Sequence, residues 1–149
     1  MTLQNHPSLA EWEGSVGLGI SGDPLWSVQA YRISLYAIDC HSFDRRSMPG
    51  LSSAASINQL ARALGSIAAN ISEGYSRSTA ADRSRFYAYA LGSTREAIAW
   101  YSTLRVELGS TIDERQATLI QIRRLLLTTL RRSRSKDPSP MLRDSERAD

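Results

Sequence analysis

The chain is poor in the residues on which much protein chemistry depends. It has one cysteine, Cys40, and two histidines, His6 and His41, among 149 residues. A single thiol excludes an internal disulfide framework and any zinc site built on several cysteines. No run approaches the ~18 apolar residues that cross a bilayer. The opening residues, MTLQNHPSLAEWEG, lack the basic start and apolar run of a secretion signal. The sequence therefore reads as soluble and cytoplasmic, without a membrane partner. No segment sustains the two-residue alternation of a half-buried strand. No GxSxG, HExxH or Walker lysine occurs, so no enzyme activity is expected. Gly17, Gly19 and Gly22 do spell GxGxxG. A dinucleotide loop needs a strand before those glycines and a helix after them, and no strand precedes them here.

Lysine is also nearly absent. Of eighteen basic residues, seventeen are arginine, against fifteen acids. The charge is segregated. Residues 1–44 hold one arginine and five acids, a balance of −4; residues 45–136 reach +9; residues 137–149 return to −2. Arginine forks onto phosphates and stacks on bases, so a basic middle built almost wholly from arginine suits nucleic acid. A solvated basic surface with no partner is the plainer alternative.

With 42% apolar residues the chain can build a core, and its length fits one domain with tails. Residues 1–22 are rich in glycine and serine, show no period, and are expected to form a flexible leader. The bundle domain is expected over 23–135, and 136–149, with two prolines and mixed charges, as a disordered tail. Asp23-Pro24 reads as a helix start, followed by a stripe of Val28, Tyr31, Leu35 and Ile38. Pro49-Gly50 punctuates the end of that helix. A second helix is predicted from about Leu51 to Glu73 on a seam of Ile57, Leu60, Leu64, Ile67 and Ile71, with Gly74 as its C-terminal cap. Ser78 or Thr79 would cap a third, seamed by Phe86, Ala90, Ser93, Ala97, Trp100 and Leu104 and ended by Gly109. A fourth follows Ile112 and Asp113, seamed by Leu119, Ile122, Leu126 and Leu130. Four helices with seven-residue seams and short connections predict an all-α, antiparallel up-down-up-down four-helix bundle. Extra apolar residues beside the seams, Tyr87, Tyr89, Tyr101, Leu125 and Leu127, suggest a subunit interface.

Few side chains could carry chemistry. A bundle could bring Glu73 and Glu96 together across helices, but a di-metal centre also needs Glu-x-x-His pairs, which the chain lacks, so neither metal nor cofactor is expected. Asp39, Cys40 and His41 are adjacent, and adjacent residues on a helix point in different directions; a buried thiol and a histidine near a helix end are the expected roles. The remaining candidates are arginines. Arg45 and Arg46 lie in the first predicted loop, Arg77 and Arg83 around the second, and Arg124 and Arg131 share a face of the fourth helix. These six are the expected phosphate contacts, and their binding would weaken with salt.

The stretch NQLARALGSIAANISEGYSR, Asn58 to Arg77, resembles the core signature of the bacterial 23S rRNA intervening-sequence protein family. Gln59, Leu60, Arg62 and Ala63 match its first part, and Ser66, Ile67, Ala69, Asn70, Ile71, Glu73, Gly74, Tyr75 and Arg77 its second. Phe86, Ala90, Gly92, Ser93 and Glu96 match a later element. Ala68 stands where the family commonly has proline, so the second helix should be straighter here. The resemblance spans roughly residues 24–134. It implies a four-helix bundle, and through similarity to accessory proteins of diversity-generating retroelements it implies a homo-pentameric ring that binds RNA or DNA. A protein-interaction scaffold without nucleic acid is the competing expectation. Within the signature, Asn70, Glu73, Gly74, Gly92, Ser93 and Glu96 are read as structural, fastening the second loop to the third helix through Arg95 or Arg62. Their rival role is a polar ligand pocket formed by Asn70, Glu73, Ser93 and Glu96.

Overall fold

The computed structural model describes residues 5–48 and 55–136. Pro49-Gly50, the start expected near Leu51 and the tail from residue 137 lie outside the described residues. Everything described is helix or connection, with no strand among the described residues. The helices are α1 (Leu9–Ser15), α2 (Leu18–Ser21), α3 (Gln29–Ser47), α4 (Ala55–Tyr75), α5 (Ala80–Ser102), α6 (Arg105–Leu108) and α7 (Thr111–Lys136), with a 3₁₀ turn at Pro24–Ser27 before α3. Of the four long helices, α4 packs on α3 and α5, and α7 packs on α5 and α3.

The seam of α4 is where it was predicted. Ile57, Leu60, Leu64, Ile67 and Ile71 are each no more than 2% exposed. Each such side chain taken from water contributes about 1.5–3 kcal/mol, which is what holds the helix in place. On α7, Leu119, Ile122 and Leu126 are buried as expected, while Leu130 is half-buried. On α5, Ala90, Ala97 and the following Leu104 are buried. Tyr87, Leu91, Thr94 and Tyr101 complete that inner face, whereas Phe86, Ser93 and Trp100 sit at its edge. Two of the tyrosines expected at an interface, Tyr87 and Tyr101, are thus core residues. Thr79 caps α5 by accepting from the Asp82 N–H.

Three local readings need correction. Asp23-Pro24 opens the 3₁₀ turn, with Asp23 accepting from the Leu25 N–H, and α3 begins only at Gln29. α5 stops at Ser102, short of Gly109; the short α6 intervenes, and Gly109 makes the following turn at φ 54°, a conformation glycine adopts without the Cβ penalty. Gly74 does not cap α4, which continues to Tyr75. It is buried inside the last turn, where a Cβ would come within 2.9 Å of the Tyr87 ring. Gly74 is there for close approach of α4 and α5.

The largest departure is at the N-terminus. The segment expected to be a flexible leader carries α1, and α1 packs on α3. Ser8 caps α1 in a reciprocal box: its hydroxyl accepts from the Glu11 N–H, and the Glu11 carboxylate accepts from the Ser8 N–H. Arg32 on α3 holds Glu13 at 2.9 Å and donates to the Trp26 carbonyl at 2.6 Å. Trp12 meets Trp26 and Tyr36. The predicted stripe is therefore a half-buried flank: Val28, Tyr31 and Ile38 pack against the edge of the core, and Leu35 and Ile38 line a groove with Trp12, Val16 and Ile20 of the N-terminal segment. The face turned to the core reads Ala30, Ile33, Ser34, Ala37, Cys40, His41 and Asp44.

Candidate nucleic-acid interface

Five of the six expected arginines divide between the two ends of the helical pack, and the sixth, Arg124, lies between them. Asp44, near the end of α3, pairs with Arg115, in the second turn of α7. Arg45 and Arg46 are exposed at that end, in the last turn of α3, where positive charge also complements the helix dipole. Gln116 on α7 donates to the Ile98 carbonyl and to the Ser102 hydroxyl on α5, so α7 runs back along α5 toward its N-terminus. The last turns of α7, with exposed Arg131, thus lie level with the first turns of α5. Arg77 and Arg83 belong to this second end, at the connection between α4 and α5. Arg45 and Arg46 are roughly 30 Å away, a helix length at 1.5 Å per residue. Arg124 is exposed midway along α7.

At the α4–α5 end the guanidiniums are held. Arg77, just past the end of α4, pairs with Glu73 in the last turn of that helix, and its Cζ lies 4.8 Å over the centroid of the Phe86 ring. Arg83 donates to the Arg77 carbonyl at 3.1 Å. Arg85 pairs with Asp82 at 3.1 Å, and its Cζ lies 5.5 Å over the same Phe86 ring. Among the described residues no carboxylate lies within 4.0 Å of Arg45, Arg46, Arg124 or Arg131. A guanidinium without a carboxylate partner keeps its fork of donors open to solvent or to an anion.

The signature residues do not act as one group. Asn70 donates to the Ser66 carbonyl at 2.8 Å and to the Ser66 hydroxyl at 3.0 Å, and that hydroxyl meets Ser93 at 2.9 Å. Asn70 and Ser93 therefore clasp α4 to α5 through Ser66, part-way along the two helices. Glu73 turns to Arg77, not to Arg62 or Arg95, and Glu96 accepts from the Trp100 indole at 3.2 Å. Gly92 is exposed, with space around it. Asn70 and Ser93 thus share one hydrogen-bonded group with Ser66, while Glu73 and Glu96 turn to other partners and Glu96 lines a surface pocket with Gln59, Arg62, Ala63 and Ser66. Among the described residues no three His, Cys, Asp or Glu side chains gather as a metal site.

One polar cluster was not foreseen. Cys40 meets His6, not its neighbour His41: His6 Nδ1 lies 3.6 Å from the Cys40 sulfur, and His6 Nε2 lies 2.8 Å from Asp39. Tyr36 donates to the Pro7 carbonyl at 2.9 Å. Burial pushes the Cys40 thiol up to about 11, against the pull of the Arg115 charge, so it is a poor nucleophile at neutral pH. Burial likewise pushes the Tyr36 phenol up to about 12. Tyr101 is 1% exposed and its hydroxyl has no hydrogen-bond partner among the described residues. Burial holds that phenol far above its ordinary range. The Ser8-x-x-Glu11 box was the signal that could have placed His6 on α3, because it marks α1.

Fold and surface together define a small protein, all-helical over the described residues, with exposed arginines at both ends of the helical pack and along α7. No helix among the described residues is long and apolar enough to cross a membrane. Comparison with protein families matches residues 36–126 to the 23S rRNA-intervening sequence protein. The chain belongs to that family. No match was found among curated proteins. The matched span begins inside α3 and stops inside α7, so it takes in Arg45, Arg46, Arg77, Arg83 and Arg124 but neither Arg131 nor the N-terminal segment.

Proposed function

We propose that the protein is a non-enzymatic accessory protein that binds RNA or DNA through backbone phosphates. In this reading α3, α4, α5 and α7 are the antiparallel up-down-up-down helices of a four-helix bundle, and bundles associate into a ring, five copies being the number the family resemblance implies. The observation that carries the reading is the placement of Arg77, Arg83 and Arg131 at one end, with Arg124 further along α7. A ring would repeat that end around one axis and sum its field, which raises steering and affinity for a polyanion. Arg45 and Arg46 supply a second, smaller basic site at the other end.

Sedimentation with a labelled structured RNA, at ~50 and ~200 mM salt, tests this directly. Binding should fall steeply as salt rises, and replacing Arg124 and Arg131 with alanine should flatten that dependence. An oligomer that ignores RNA at both salts would favour a protein-interaction scaffold. The exposed side chains of Leu18 (85%) and Val106 (94%) are the observation on that side.

A further inference from the structure

Five large apolar or aromatic side chains stand exposed among the described residues, and two of them, Tyr75 and Tyr89, flank the arginines of the α4–α5 connection. Tyr89 is 53% exposed and Tyr75 38% exposed. Tyr89 packs edge-to-face on Phe86, with ring centroids 5.8 Å apart. Phe86 in turn holds the guanidiniums of Arg77 and Arg85 over its ring. Arg77, Arg85, Phe86 and Tyr89 thus form one contiguous group of guanidinium, phenyl and phenol at the start of α5, with Tyr75 exposed at the end of α4 two residues before Arg77. A core role does not explain Tyr89, because Tyr87 and Ala90 already fill the inner face of that turn.

Phosphate binding alone needs only the cations. Exposed aromatic rings among arginines add a different capacity: a base has two flat faces, and an aromatic or guanidinium plane can lie on either. In a duplex those faces are stacked on neighbouring base pairs and are out of reach. In an unpaired strand they are free, and their stacking tolerates any sequence. The arginines fit the same ligand. Arg77 and Arg85 are steadied by the Phe86 ring, and their partners Glu73 and Asp82 are solvent-exposed, so those pairs are weak and can yield to a phosphate.

We infer that Tyr89, Phe86 and Tyr75, with Arg77 and Arg85 beside them, form a stacking platform that selects single-stranded over duplex nucleic acid. The inference rests on the phosphate-binding reading above and adds to it the strandedness of the ligand. Tyr89 supplies the outer stacking face, and Phe86 orients both Tyr89 and the two guanidiniums.

Fluorescence anisotropy with labelled oligo(rU) and oligo(dT) of ~12 nucleotides, and a duplex of the same length, tests it. The wild-type protein should bind the single strands more tightly than the duplex. Tyr89→Ala should weaken single-strand binding about tenfold and leave the duplex unchanged, and Tyr89→Trp should restore it, since indole stacks at least as well. Tyr75→Ala should act in the same direction. Both positions, Tyr75 and Tyr89, are exposed enough for the variants to keep the wild-type melting temperature and sedimentation coefficient. Equal affinity for single strand and duplex, with Tyr89→Ala silent on both, would overturn the platform and leave the phosphate reading standing. No binding of any probe at ~50 mM salt would overturn both. A change of subunit number in Tyr89→Ala would assign the ring to a contact between copies and overturn the platform as well.

Discussion

The Asp44 carboxylate is held at both oxygens by one guanidinium, that of Arg115, which donates from Nε at 2.9 Å and from Nη2 at 2.8 Å across 71 residues of sequence. Both residues are buried, at 3% and 8% exposure. Burial disfavours the charge on Arg115, but the hydrogen bonds and charge of Asp44, together with the neighbouring Cys40 and Tyr101 groups, outweigh it and keep the guanidinium protonated. The pair fixes the end of α3 to the start of α7. Removing one partner leaves the other charge buried without compensation, which costs about 3–5 kcal/mol. Arg115→Met alone should therefore lower the urea midpoint strongly. The double variant Asp44→Leu/Arg115→Met should recover most of the loss, because an apolar pair of similar volume is often as stable. A single variant as stable as wild type would show that the carboxylate reaches water.

His41 follows Cys40 on the inner face of α3, and its Nε2 has no hydrogen-bond partner among the described residues. Burial, reinforced by the Arg45 charge and opposed by Asp44, lowers its pKa from 6.5 to about 4. Between those two values the unfolded chain binds a proton that the folded chain refuses. Stability from this group is complete above pH 6.5 and is lost as pH falls toward 4, by about 3 kcal/mol at ~1.4 kcal/mol per unit. His41→Leu should flatten the dependence of urea stability on pH over that window and cost little at pH 7. A variant whose slope matches wild type would mean that other groups carry the acid sensitivity.

The sequence was most informative where one helix face was apolar and the other was not. The seams of α4 and α7 were legible because Ile57 to Ile71 and Leu119 to Leu126 keep their spacing against polar neighbours. On α3 the same rule selected the flank of the core face and missed its centre. The stripe of Val28, Tyr31, Leu35 and Ile38 is the more apolar side, half-buried between the core edge and the N-terminal segment, while the fully buried side includes Ser34, His41 and Asp44. Those polar residues on a core face imply partners elsewhere, and Arg115, four residues before Leu119 on the seam of α7, was the matching charge. The six arginines could be named from composition, but the placing of five at two ends and of Arg124 between them depends on helix order and packing. The roles of Glu73 and Glu96 were not legible, since either could reach across to another helix and each instead meets a side chain four residues on in sequence, Arg77 and Trp100.

Gly74 and Gly65 make opposite predictions on one helix. A Cβ on Gly74 would stand 2.9 Å from two carbons of the Tyr87 ring and 3.1 Å from the Phe86 Cβ. Tyr87 is buried and cannot swing away, so Gly74→Ala should force α4 and α5 apart and cost about 1–3 kcal/mol. Gly65 has nothing within 4 Å of such a Cβ. Gly65→Ala should stabilise by about 0.5–1 kcal/mol, as expected when alanine replaces glycine inside a helix. Thermal melts of the two variants should therefore move in opposite directions. A neutral Gly74→Ala would show that the contact with Tyr87 is loose enough to absorb a methyl group.

His6 covers Cys40, and that contact makes the thiol a reporter of the N-terminal segment. The His6 side chain is 5% exposed, wedged between Asp39, the Cys40 sulfur and the rings of Tyr36 and Phe43. At pH 8 a thiol of pKa about 11 holds roughly a hundredth of the thiolate of one at 9.0, and the overlying segment excludes reagent besides. Native Cys40 should thus react with a disulfide reagent at least ~100-fold more slowly than in urea. His6→Ala removes the cover without touching α4, α5 or α7. It should raise the native labelling rate severalfold while the urea midpoint moves little, since only the docking of residues 5–22 is weakened, a local opening and not a global one. If the labelling rate instead changes only in step with the urea midpoint, Cys40 is reached through global unfolding and the N-terminal segment does not gate it.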